Sequence, residues 1–180
     1  MLSINRPKAI QAARGFTLAE GMLAVVVLAM AAGAMMGPLS ASYQQTRTMK
    51  QSTTAISMAQ QLLDEILSKP FVDPTDLTTN PGPEADELGR ASFDNIDDYH
   101  GYHDTTDTTK ANAIKTASGQ TIAWNSNDIY SRDVTMEYRA TPDGPAVAVG
   151  DFLVASVTVT MPHGHQVTVQ RLACRYTRGN

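Results

Sequence analysis

The sequence predicts an α+β fold in which a long N-terminal helix, apolar enough over its first half to cross a bilayer, packs its second half on a small antiparallel β-sheet. Three observations carry this. Phe16 to Leu39 is one apolar run, of the ~20 residues that a helix needs to cover a ~30 Å hydrocarbon core. After it, apolar and semi-apolar residues recur at three- and four-residue steps as far as Ile66, the period of a helix face. From Val134 onward the pattern alternates and ends in two strand-like segments joined by a hairpin-sized link.

Residues 1–15 contain Arg6, Lys8 and Arg14 and no acid. Basic residues stay on the cytoplasmic side of a membrane span, so 16–39 should be a transmembrane segment with everything after Leu39 on the far side. A cleaved secretory signal would have a shorter apolar stretch and a small-x-small site before a polar start. Here the apolar stretch flows into further helix, and the segment reads as retained. Gly33, Gly37 and Pro38 lie late in it, and proline removes a backbone donor, so a bend is expected near Pro38.

Residues 40–69 read as an amphipathic continuation of the helix, with a stripe that starts at Leu39 and runs through Tyr43, Thr46, Met49, Thr53, Ile56, Ala59, Leu63 and Ile66. Lys69-Pro70 is a natural stop, because the residue before proline disfavours the helical region. Residues 70–180 form the head. Its first part, 70–120, is rich in Pro, Asp, Thr, Asn and Gly and reads as a long loop with one short element near Ile114. Thr121 to Trp124 is a weak strand signal, and Val134 to Tyr138, Phe152 to Met161 and Gln166 to Tyr176 are stronger ones. The link Pro162-His163-Gly164-His165 should pair the last two antiparallel. No internal repeat or second domain is apparent.

The formal charge of -4 and the absence of a basic patch argue against nucleic acid as a partner. No serine, cysteine or lysine stands in a nucleophile motif and no glycine-rich phosphate loop follows a strand, so the sequence makes no case for an enzyme. The single cysteine, Cys174, rules out an intrachain disulfide and is expected to be a small buried thiol.

Glu20 fits neither a signal peptide nor a plain anchor. An ionised acid near lipid costs on the order of 3 kcal/mol, so an intramembrane carboxylate points to function and needs a cationic partner. The segment Arg14-Gly15-Phe16-Thr17-Leu18-Ala19-Glu20 resembles the prepilin cleavage and methylation motif of type IV pilins and type II secretion pseudopilins. The departure from the commonest pattern is Ala19, where a larger aliphatic residue is usual.

The resemblance implies that residues 1–15 are a leader, that a prepilin peptidase cuts between Gly15 and Phe16, and that the new amino group of Phe16 is methylated. It implies that Glu20 neutralises the N-terminus of a neighbouring subunit during assembly. The other implied partners are further pilin or pseudopilin subunits, an inner-membrane assembly platform and the lipid bilayer. The protein would be single-pass in a bacterial inner membrane, with a cytoplasmic N-terminus and a periplasmic head. Met58 to Leu67 is similar to a stretch of the minor pilins and minor pseudopilins, and the paired C-terminal cysteines of many pilins are absent. A minor component of a secretion pseudopilus is therefore favoured. The alternative is a membrane-tethered periplasmic module that binds a metal or a substrate and never polymerises.

The head has an acidic segment, with eight carboxylates from Glu84 to Asp107 against Arg90 alone. Some major pseudopilins hold calcium in a loop of their sheet region, so by analogy Asp94, Asp97, Asp98 and Asp104 are candidate calcium ligands. The spacing is not that of an EF-hand, and the nearby His100 and His103 suit zinc better. The plainer expectation is no cofactor, and a solvated acidic loop or one that contacts a neighbouring subunit. His163 and His165 are expected to be exposed turn residues.

Overall fold

A computed structural model describes residues 15–71, 81–85, 87, 89–115, 120–122 and 128–175. They belong to two compact units, divided between Arg47 and Thr48. One helix, α1 (Leu18–Ile66), runs through both.

In the first unit, α1 starts at a threonine cap. The Thr17 hydroxyl accepts the Glu20 N–H at 3.3 Å, and the Thr17 carbonyl accepts those of Glu20 and Gly21, each at 3.1 Å. Such a cap satisfies N–H groups that the first turn leaves without partners. The most apolar 18-residue window has mean hydropathy 2.1 and not one buried residue, so this helix is long and apolar enough to span a membrane. It continues through Pro38, whose missing N–H deprives the Ala34 carbonyl of its usual helical donor.

In the second unit the last turns of α1 bury Gln51, Ala55, Met58, Ala59, Leu62, Leu63 and Ile66. The expected stripe is right from Ala59 onward and wrong before it, because Thr53 and Ile56 are exposed. Successive steps of three advance only about 300° around a helix, so a stripe traced as 53, 56, 59 winds off the packed face. The α-helix ends at Ile66. A tighter turn follows, in which Ser68 and Lys69 donate to the carbonyls of Glu65 and Ile66 three residues back.

The head's sheet has five antiparallel strands: β1 (His103–Thr105), β2 (Ser131–Arg139), β3 (Ala146–Val147), β4 (Phe152–Thr160) and β5 (Gln166–Cys174). The main order is β1-β2-β4-β5, and β3 also pairs with β2. β2 and β4 pair along their whole length, with Val134 opposite Val157 and Met136 opposite Ala155. On β2, Arg132, Val134, Met136 and Tyr138 alternate with exposed residues. On β4, Leu153, Ala155, Val157 and Val159 complete the core with the α1 face, Phe93, Ile96 and Tyr99. Each Leu or Val removed from water there contributes roughly 1.5–3 kcal/mol.

Two close approaches fix the connections. At Gly150 a Cβ would lie 2.1 Å from the Arg139 carbonyl oxygen, so only glycine lets the chain pass β2 into β4. The β4–β5 hairpin turns through left-handed backbone at His163 (φ 84°) and Gly164 (φ 81°), with Met161 N–H bonded to the His165 carbonyl at 2.7 Å. Both histidines are exposed, as expected. Cys174 is exposed, not buried. β5 ends the strand order with β4 as its partner, and residue 174 shares the strand face of exposed Leu172, opposite to the half-buried Val169 and Ala173.

Candidate functional site

Two places in the chain gather the residues singled out by the sequence. The first is the start of α1. Gly15, Phe16 and Thr17 are exposed and non-helical, and Phe16 is 78 % exposed. The Gly15–Phe16 peptide bond thus lies in open backbone just before the Thr17 cap. Glu20 follows in the first helical turn, where the positive end of the helix dipole favours an anion. From there to Arg47 the helix carries no other charge, a stretch of about 39 Å at ~1.5 Å per residue. The basic residues Arg6, Lys8 and Arg14 lie outside the described residues, as do Ala123, Trp124 and Tyr176.

The second place is the acidic segment, and it is more ordered than a solvated loop. Asn95 Oδ1 accepts the N–H groups of Asp97 (2.7 Å) and Asp98 (3.2 Å). In return Asp98 Oδ2 accepts those of Asp94 (2.8 Å) and Asn95 (2.9 Å). This reciprocal pairing caps a 3₁₀ turn, Asp97–Tyr99. The turn is tied to the end of α1 by Ile96 N–H on the Pro70 carbonyl (3.0 Å) and Lys69 Nζ on the Phe93 carbonyl (2.6 Å).

Among the described residues, the four candidate aspartates do not converge on one point. Asp104, on β1, receives Arg132 Nε on Oδ1 at 2.7 Å, with Arg132 Nη2 and the Tyr102 hydroxyl on Oδ2. Asp97 lies buried beside the Tyr138 hydroxyl, whose pKa is pushed up by burial and then by that carboxylate. Asp94 and Asp98 share the capped turn. A parallel ion pair fastens the loop to α1: Arg90 grips both oxygens of Glu65, and the Tyr99 hydroxyl donates to Glu65 Oε1 at 2.8 Å. Burial alone would raise Glu65, but Arg90 and Tyr99 hold it below the ordinary 4.5. Burial, with the Asp104 charge beside it, pushes Tyr102 up to about 12.

Among the described residues, the one group of three or more metal-ligating side chains that converge is Glu84, Glu87 and Asp98, with ligand atoms all within 4.8 Å of one another. Of the expected set only Asp98 belongs to it. Glu87 Oε2 accepts the Glu84 N–H and Oε1 the Asp94 N–H, each at 3.2 Å. Contact with the Glu87 carboxyl, then burial, pushes Glu84 up to about 8.

Sequence reasoning missed Thr17, although Thr17-Leu18-Ala19-Glu20 is a threonine-x-x-glutamate capping pattern that could have identified it. It also missed Glu65, Arg90 and Arg132, whose partners are 25 to 28 residues away and leave no local signal. No family model, curated protein or solved structure matches the chain.

Proposed function

We propose that this chain is a pilin-like structural subunit, cleaved between Gly15 and Phe16 and N-methylated at Phe16 by a prepilin peptidase. It is then assembled into a type II secretion pseudopilus or a type IV pilus, with a minor pseudopilin favoured. The observation that carries the reading is Glu20, the one charge on an exposed apolar helix between its start and Arg47, placed just after an open Gly15–Phe16 bond. A membrane tether needs no such acid. A filament subunit does: cleavage leaves an ammonium at Phe16, and a carboxylate one turn on can neutralise that of a neighbour. A misplaced subunit would leave two unpaired charges in an apolar medium, so the pair sets register more than it adds stability.

In this reading the protein is anchored by one span in a bacterial inner membrane, N-terminus cytoplasmic and head periplasmic. Its partners are the peptidase, other subunits and the assembly platform, and it has no catalytic role. The α+β head packed on the end of a long helix supports the same class.

Intact mass of the protein from membranes of its own host tests processing: a chain beginning at N-methylated Phe16 is expected, and a full-length 180-residue chain overturns it. Glu20→Ala is expected to insert and be cleaved but to be lost from filaments. Normal assembly of Glu20→Ala would instead favour a tethered binding module, the second reading, which the convergence of Glu84, Glu87 and Asp98 keeps in view.

A further inference from the structure

We propose that the free edge of β5 is a docking site at which an extended segment of a different protein adds an antiparallel strand to the sheet. The choice of a different protein rests on the single-span reading of the proposed function; the edge itself does not.

The backbone is the first argument. Met161 N–H donates to the His165 carbonyl and Arg175 N–H to the Asp151 carbonyl, and between those points β4 and β5 pair residue for residue, without a bulge. In an antiparallel ladder, hydrogen-bonded and non-hydrogen-bonded pairs alternate, so the odd-numbered residues of β5 direct their N–H and C=O groups to β4. Those of Gln166, Thr168, Gln170, Leu172 and Cys174 point the other way, where no described residue meets them.

The second argument is the contrast between the two edges. An unpaired edge is a template for another strand, and proteins blunt it with short strands, covering loops, prolines, bulges or charges. The opposite edge of this sheet is blunted: β1 and β3 are three and two residues long, and a loop covers β2 between them. Gly101 N–H binds the Val134 carbonyl (3.0 Å), Val134 N–H the Tyr102 carbonyl (2.9 Å) and Met136 N–H the His100 Nδ1 (3.0 Å). β5 has nine residues, no proline and one charge, Arg171.

Side chains define the occupant. Val167, Val169, Arg171 and Ala173 stand opposite Val159, Val157, Ala155 and Leu153 of the core, so they share the face that packs on α1. The two valines are only half-buried and Arg171 is exposed. Apolar residues opposite the valines would cover them, and an acid opposite Arg171 would match its charge. An antiparallel segment therefore reads acid-x-apolar-x-apolar, with main-chain bonds for affinity and alternate side chains for specificity. A second copy does not fit. Its other edge is blunted, and antiparallel pairing of β5 with β5 sets the two-fold axis perpendicular to the sheet. The α1 helices that lie on the sheet would then run in opposite directions, which chains anchored alike in one bilayer cannot do.

The test uses the full chain in detergent micelles and the end-blocked peptide Thr-Asp-Thr-Val-Thr-Val-Thr, which sets its Asp opposite Arg171 and its two Val opposite Val169 and Val167. In the chain alone, amide hydrogen exchange should be fast at Thr168, Gln170 and Leu172 and slow at Val167, Val169 and Arg171. Saturating peptide should slow the first three by about tenfold or more. Gln170→Pro removes an N–H that β4 does not use, so the head should stay folded while peptide affinity falls by about tenfold or more. Arg171→Glu, at an exposed position, should weaken binding too, and a peptide with Lys in place of Asp should restore it. No binding at millimolar peptide, or unchanged binding to Arg171→Glu or to folded Gln170→Pro, overturns the proposal. So does protection of Thr168, Gln170 and Leu172 in the chain alone, whether a second copy or the chain itself covers them. Cleavage at Gly15 is read by mass and docking by exchange, so either can fail without the other.

Discussion

Arg132 on β2 holds both carboxylate oxygens of Asp104 on β1, and the two residues are 4 % and 1 % exposed. Nη1 of the same guanidinium reaches the Met58 carbonyl of α1 at 3.3 Å, so one side chain joins two strands to the helix. Two-point arginine–carboxylate contacts are strong because both bonds are charge-assisted. Removing Asp104 strips the buried Arg132 of its two-point carboxylate partner, and removing Arg132 leaves Asp104 only the Tyr102 hydroxyl at 3.0 Å and Arg90 at 3.9 Å. Asp104→Ala or Arg132→Ala should therefore cost about 3–5 kcal/mol, and the apolar pair Asp104→Leu with Arg132→Met should cost less than either. Urea unfolding of the four proteins in micelles checks this; additive losses would show that the pair acts as two independent residues.

Two carboxylate sites give the head opposed pH dependences. Glu65 is held below 4.5 through Arg90 and Tyr99. Its contribution is present above that ordinary value and lost as pH falls through the lowered one. Glu84 is raised to about 8 by contact with Glu87, by burial and by the charge of Asp98, and Glu87 is raised by burial first. Their contribution is full below 4.5 and lost as pH rises through about 8. The melting midpoint should thus fall between about pH 5 and 8. Glu84→Gln should flatten that fall. A midpoint that rises steadily over this range would contradict the assignment.

The period-two alternation of β2, the hairpin-sized link before β5 and the Lys69-Pro70 stop are local signals, and each was legible in the sequence. The apolar run and Glu20 were legible for the same reason: a charge inside twenty apolar residues needs no tertiary context to stand out. Asp104 was not legible as a structural residue. In sequence it is one acid among eight, and only β1 pairing with β2 brings Arg132 to it. His103–Thr105 gave no strand signal because β1 is three residues long and is defined by its partner. Glu84 and Glu87 reach Asp98 through a fold-back of the chain that no fixed spacing encodes.

Gly150 makes a steric prediction. A methyl group there meets backbone, the Arg139 carbonyl oxygen at 2.1 Å and its carbon at 2.5 Å, and backbone in a paired strand cannot swing aside. Gly150→Ala should destabilise the head by about 1–3 kcal/mol, the cost typical of overpacking. Gly89→Ala is the control, since a Cβ there has nothing within 4 Å. If both variants unfold at the same urea concentration as the parent, the close passage of this chain over Arg139 does not constrain the fold.

The β4–β5 turn separates backbone strain from packing. At Gly164 a Cβ would have nothing within 4 Å, but φ is +81°, so Gly164→Ala brings no clash and its cost is conformational, about 1–2 kcal/mol. His163 has the same handedness, φ 84°, without glycine's freedom. His163→Gly relieves that strain but gives the unfolded chain more entropy, a penalty of about 0.5–1 kcal/mol. The net effect should be a smaller change of opposite sign. Melting curves of the two variants should fall on either side of the parent. Two downward shifts of equal size would mean that the His163 side chain itself stabilises the hairpin, against its exposed position in the turn.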